Sequence, residues 1–171
     1  MREFKDSEGR PWRLALTCAS AARIRDMVAV PGEDGKPKPF DLVDGKTLGE
    51  SVALLRISPI LVGEVLYAAL APEVEAKGLD RESFLSGMSG DSLEAGLSAL
   101  EAEVVSFTPG RLRGVVSSLL TKMDELQSTE TAEVVRQIQA MTPGAGITST
   151  SSPASSGSTP ASGPSANSPA P

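Results

Sequence analysis

Apolar and polar residues alternate or recur along this chain in patterns that predict one hairpin followed by a series of helices. Phe4-Lys5-Asp6 leads into Ser7-Glu8-Gly9-Arg10, a turn-forming stretch. Trp12, Leu14 and Leu16 then alternate with Arg13 and Ala15, the period of a half-buried strand. Pro11 at the strand start suits an edge. Thr17 or Ser20 is placed to cap a helix through Ile24, Met27 and Val28, which Pro31-Gly32 ends near Val30. Residues 31 to 39 are rich in proline, glycine and charge and predict a loop or excursion, with an ordered strand connection over 31–46 as the alternative. Phe40-Asp41-Leu42-Val43 predicts a short strand, Asp44-Gly45 a turn, and Thr47 a cap for a helix through Val52, Leu54 and Leu55.

Pro59 stands at a helix start. From there to Ala71, Ile60, Leu61, Val62, Val65, Leu66, Ala69 and Leu70 cover most of a helix surface. A helix apolar on most sides belongs in the centre of a core. A short helix ending at Gly78 and another capped by Asp80, holding Phe84 and Leu85, are expected next. Asp91 is placed to cap a helix with Leu93, Leu97, Leu100, Val104 and Phe107 on one stripe. Thr108-Pro109 predicts a cap and first turn for a helix with Leu112, Val116, Leu119, Met123 and Leu126 on another. Val134, Ile138 and Met141 continue helical spacing.

Composition changes abruptly at Thr142. Of the last thirty residues, twenty-eight are Ser, Thr, Pro, Gly or Ala, and none is charged. Such a segment has too little apolar surface to offset its ordering entropy. The expected organisation is therefore a compact multi-helix domain over 1–141 and a disordered tail over 142–171. The fold class is mainly α with a small N-terminal β-hairpin, that is, α+β.

Charge and chemistry narrow the function. Sixteen basic residues against twenty-two acidic ones give a net charge of −6, which argues against a general nucleic-acid binder. The longest apolar run, Ile57 to Ala71, is too short and too polar to span a bilayer, and no signal-peptide pattern follows Met1. A soluble, cytoplasmic protein is expected.

The chain has no histidine, and its one cysteine, Cys18, reads as a small core residue. Asp44-Gly45-Lys46-Thr47 ends like a phosphate-binding loop, but Phe40 stands where that motif needs a glycine. Gly87-Met88-Ser89-Gly90 resembles a nucleophile elbow with its second glycine one position early, and no histidine is present as base. Glu73 with Glu75 and Glu101 with Glu103 are spaced by two, off any shared helix face, and read as solvated charges. No catalytic, cofactor-binding or metal-binding residue emerges, and a non-enzymatic binding role is expected.

The order of parts resembles a family. Phe4-Lys5-Asp6-x-x-Gly9-Arg10-x-Trp12 leads to Arg23-Ile24-Arg25-Asp26 and Phe40-Asp41-Leu42-Val43. Pro59-Ile60-Leu61-Val62, Val65-Leu66-Tyr67 and the Phe84–Phe107 stretch follow. This looks like the tail assembly chaperones of tailed phages and prophages, over roughly residues 2 to 126. The resemblance implies binding to the long helical tape-measure protein and delivery of tail-tube protein in the bacterial host cytoplasm. It also allows homo-oligomers, and carries no catalytic or ligand residues. The expected partner-binding residues are Leu97, Leu100, Val116 and Leu119 on the two striped helices, although the plainer reading of these positions is that they form the domain's own core. The alternative function is a structural part of the tail or virion, such as a connector, terminator or decoration protein.

Overall fold

A computed structural model describes residues 1–32 and 34–141 of this protein. The expected tail over 142–171 lies outside the described residues. One compact unit comprises Met1–Ala132, and it is mainly helical with a small N-terminal hairpin. Strands β1 (Arg2–Lys5) and β2 (Pro11–Leu14) pair antiparallel, with Phe4 opposite Trp12. Helix α1 (Cys18–Met27) leads to a second two-stranded ribbon, β3 (Ala29–Pro31) and β4 (Pro37–Pro39). Helices α2 (Leu48–Ile57), α3 (Pro59–Ala76), α4 (Arg81–Ser86), α5 (Asp91–Phe107) and α6 (Gly110–Met141) follow. Among the described residues no single helix is long and apolar enough to cross a membrane.

The hairpin turn is locked by one carboxylate. Asp6 has a fully covered side chain. Its Oδ2 accepts from Trp12 Nε1 at 2.9 Å and Arg10 Nε at 2.6 Å, and its Oδ1 accepts the backbone N–H of Arg10 and Glu8 at 2.8 and 3.0 Å. Gly9 turns the chain at φ +79°, a conformation that favours glycine. Trp12 is fully buried, edge-on to Phe84 at 4.9 Å between centroids, with Lys77 Nζ 3.9 Å above its ring. The polar positions of the Phe4-to-Trp12 motif are thus taken up in folding the hairpin and seating it against α4.

Helix α3 is the centre. Leu61, Val62, Val65, Leu66, Ala68, Ala69, Leu70 and Val74 are all buried, and α1, α2, α4, α5 and β2 pack against it. It runs through Pro72 rather than breaking there into the separate short helix expected before Gly78. A proline inside a helix has no N–H for the carbonyl four residues back. Arg23 of α1 supplies the missing donor. Its Nε donates to the Ala68 carbonyl at 3.2 Å and its Nη2 to Ala69 at 3.0 Å.

Four local expectations need correction. Pro31 and Pro37–Pro39, within the stretch expected as a loop or excursion, are strand residues of the β3–β4 ribbon, and the prolines sit in a two-stranded edge pair. Phe40–Val43 is not a strand. Phe40 and Leu42 are buried, while Asp41 Oδ1 accepts the N–H of Val43 and Asp44 at 2.8 and 3.1 Å and curls the chain into a turn. Asp91 is the first residue of α5, preceded by Gly90 at φ +50°. Thr108 turns back to α5, its hydroxyl donating to the Val104 carbonyl at 2.8 Å, and the first turn of α6 bonds to the Pro109 carbonyl instead.

Two tests follow. Arg23→Met leaves a buried carbonyl unpaired and is expected to lower stability by about 1–3 kcal/mol. In a Pro72→Ala background the restored N–H answers the Ala68 carbonyl, so the same change costs less; strictly additive losses in urea unfolding would contradict this. For Asp6, burial raises the carboxyl pKa, but hydrogen bonds from Arg10 and Trp12 outweigh it and hold it below the usual aspartate value. Asp80 is also lowered, through its bonds from Ser83. The unfolded chain then binds more protons below about pH 4, so this stability is present above that pH. It is lost as pH falls through the native pKa. Asp6→Asn should flatten that loss while leaving the part due to Asp80; an unchanged acid slope would contradict the assignment.

Candidate functional site

Two concave surfaces meet at the corner where α2 turns into α3. Ser58 ends one helix and begins the next, so no loop intervenes. Its N–H bonds the Leu54 carbonyl at 3.1 Å, its hydroxyl accepts from Leu61 N–H at 3.3 Å, and Pro59 takes the first helical position. The helices cross there at 116°. A turn this sharp leaves the flanking side chains outside the packing: Ile57 is 77 % exposed and Ile60 79 % exposed. An isolated exposed isoleucine needs no explanation, but Ile57 and Ile60 flank Ser58 at one corner, and Ile60 also lines the adjoining groove.

On one side of the corner a groove of about 510 Å³ is lined by Met27, Ala29, Val30, Leu54, Ile60 and Leu61. Met27 is itself half exposed. The charged lining is an ion pair between Glu64 and Arg81, in which Arg81 Nε donates to Glu64 Oε2 at 3.2 Å. The surface is apolar with a neutralised charged edge, suited to an apolar side chain or helix face rather than to an ionic ligand.

On the other side a groove of about 490 Å³ runs between the corner, α5 and α6. Leu55, Pro59, Val62, Leu93 and Leu97 make its apolar part, and Arg56, Glu94, Glu101 and Asp124 its charged part. The Arg56 side chain is only 8 % exposed; its Nε donates to Glu101 Oε1 at 2.8 Å and its Nη1 lies 2.7 Å from Asp124 Oδ1. Burial alone lowers the guanidinium pKa, but the two carboxylates outweigh it and hold it raised. Arg56 thereby joins α2, α5 and α6 through one side chain.

The four residues expected to bind a partner fall in different places. Leu97 is half-buried and lines the acidic groove. Leu100 is fully buried and Val116 is buried, both within the chain's own core. Leu119 is half-buried and lies against Gly49 of α2, 3.6 Å from where a β-carbon would stand. Ile57 and Ile60 were not legible as a surface. An all-round apolar helix conceals which of its residues goes uncovered, although Ser-Pro directly after Ile57 is a signal for a sharp turn.

Other candidate chemistry resolves into structure. Cys18 is exposed at the start of α1, not in the core. Asp44 to Thr47 forms the turn before α2, with Asp44 Oδ1 accepting from Lys46 N–H at 3.0 Å. The Gly87–Gly90 stretch joins α4 to α5. There Ser89 N–H donates to Ser92 Oγ, and Ser7 donates to the Gly87 carbonyl. Glu103, expected to be solvated, is buried and accepts the Leu16 N–H at 3.1 Å, while Glu101 is engaged by Arg56. Among the described residues no group of three or more His, Cys, Asp or Glu is placed to hold a metal ion.

Comparison with protein-family models, curated proteins and solved structures gives no match. Because Ile57 and Ile60 bury almost nothing, Ile57→Asp with Ile60→Asp should change stability by no more than about 0.5 kcal/mol per site. Leu100→Ala in the core should cost about 2–5 kcal/mol. Comparable losses in the two variants by urea unfolding would show that the corner is part of the core.

Proposed function

We propose that this chain is a tail assembly chaperone of a tailed phage or prophage. It binds apolar helical segments of the tape-measure protein in the bacterial host cytoplasm and presents them to tail-tube subunits. The reading is supported chiefly by the exposed Ile57–Ile60 corner with its adjoining apolar groove. Helix-in-groove docking needs such a surface: apolar anchors at short spacing beside a concavity that receives the partner's own side chains. The family-like order of elements, from the Asp6-locked hairpin to the central helix, supports it further. A role in holding rather than catalysing accords with where the candidate chemistry went, since Glu101 and Glu103 are engaged in packing the helices.

The test is co-expression of the tape-measure protein from the same tail module with this chain or with its Ile57→Asp/Ile60→Asp variant. The wild-type chain should raise the soluble fraction of the tape-measure protein several-fold, and the variant should not. Equal solubility with and without the wild-type chain would refute the chaperone role. Mass spectrometry of purified particles addresses the structural alternative, because a chaperone should be absent from the finished tail and a connector or decoration protein present in stoichiometric amount.

A further inference from the structure

Helix α6 is held to the body by one short stripe. Val116 and Leu120 are buried, and Leu119 and Met123 are half-buried. Leu119 lies against Gly49 at the start of α2, and Asp124 Oδ1 lies 2.7 Å from Nη1 of Arg56 near its end. The helix therefore tracks α2 and offers the body apolar side chains at i, i+3, i+4 and i+7 and a carboxylate at i+8.

This seat is shallow. Leu112, Val115 and Leu126, before and after the stripe, are exposed. Thr108 and Pro109 alone join α5 to α6, a link about which a helix swings as a unit. The Asp124 side chain is 67 % exposed where that of Arg56 is 8 % exposed, and a pair with one solvated partner holds weakly. The pairing is also imperfect. Nη1 of Arg56 is buried, yet no acceptor among the described residues meets it in hydrogen-bond geometry. A guanidinium nitrogen enclosed in this way is better satisfied by a carboxylate that approaches in line.

The seat continues into open surface at its Arg56 end. The groove of about 490 Å³ there has Asp124 and Gln127 of α6 on one side and Leu55, Val62, Leu93 and Leu97 of the body on the other. Arg56 both lines the groove and anchors the seat. A helix entering the groove meets apolar side chains and the unsatisfied Nη1 before α6 has moved, and it advances along α2 as α6 withdraws.

We propose that the 116–124 segment of α6 is a built-in placeholder, and that its seat on α2 is a docking surface for a helix of another protein. The occupant is specified by what it replaces: an amphipathic helix with apolar side chains at i, i+3, i+4 and i+7 and Asp or Glu at i+8 to meet Arg56. Because α6 is tethered to the body, it competes at high effective concentration, so only a helix matching both features displaces it. A basic side chain at the last position is repelled by Arg56. Without a partner, the placeholder keeps the apolar surface of the seat out of water. The surface is distinct from the Ile57–Ile60 corner, and the inference stands whether or not that corner holds a tape-measure segment.

The experiment titrates the full chain into a fluorescent alanine-based peptide of about 20 residues, long enough to be helical by itself. The peptide carries Val, Leu, Leu, Met and Asp at the five offsets of the placeholder. It should bind, and hydrogen exchange over residues 112–126 of the chain should then quicken while the middle of α3 stays unchanged. A peptide with Lys in place of its Asp should bind at least about tenfold more weakly. Asp124→Lys in the chain sets a second cation beside Arg56 and loosens the placeholder, so it should tighten binding of the acidic peptide by about tenfold. Circular dichroism establishes that this variant is folded. Ile57→Asp/Ile60→Asp should bind the peptide like wild type. The proposal is overturned if the acidic peptide binds neither chain, if the two peptides bind alike, or if binding leaves exchange in α6 unchanged. Loss of binding in the isoleucine variant would place the peptide at the corner instead. Unlabelled chain that displaces the peptide as well as unlabelled peptide does would give the seat to a second copy, and either result also overturns it.

Discussion

Helix α3 is enclosed on nearly every side, and that enclosure governs the rest of the structure. A buried helix can be accommodated only if its neighbours supply apolar contacts along its length and answer each polar group it cannot satisfy itself. The first requirement arranges α1, α2, α4, α5 and β2 around it. The second explains otherwise arbitrary residues. Arg23 is spent on the carbonyls around Pro72. Gly63 lets Leu85 approach to 3.1 Å of where a β-carbon would stand, and Gly96 gives Leu66 and Phe4 room beneath α5. The hairpin is fixed to this assembly through the Asp6–Trp12–Arg10 lock, which joins the chain's first strands to α4 by side-chain hydrogen bonds rather than by sheet extension.

The same enclosure creates the surfaces of functional interest. A central helix has to be entered, and here entry takes a single residue, Ser58, shared between two helices at 116°. The sharpness of that entry leaves Ile57 and Ile60 outside the core and opens grooves to either side. One is nearly uncharged apart from a closed ion pair. The other is organised by Arg56, which gathers Glu101 and Asp124 and leaves the groove negative.

The sequence is informative where periodicity and chemistry agree. The alternation of Trp12 and Leu14, Thr17 before the first helix, and the all-round apolar surface from Pro59 onward each fix an element's type, and the structure has them. It is less informative where a residue's meaning depends on something distant. Pro72 reads as a helix breaker until Arg23, far away in sequence, is known to answer it. Pro31, Pro37 and Pro39 read as a loop because nothing local tells an edge ribbon from one. Glu103 reads as a surface charge until the Leu16 N–H is placed beside it. For the candidate site, Leu97 was visible through its stripe and lines a groove. Leu100 and Val116 obey the same stripe but serve the core, since spacing reports a helix face without reporting what covers it.

Under the proposed function, the α2–α3 corner is where this chain holds a partner helix. Hydrogen exchange of the full chain, with and without the proposed tape-measure partner, tests it most directly. Amides over residues 54–61 should exchange more slowly in the complex, while those in the middle of α3, already protected by burial, stay unchanged. Slower exchange confined to α5 and α6, with the corner unaffected, would contradict the account.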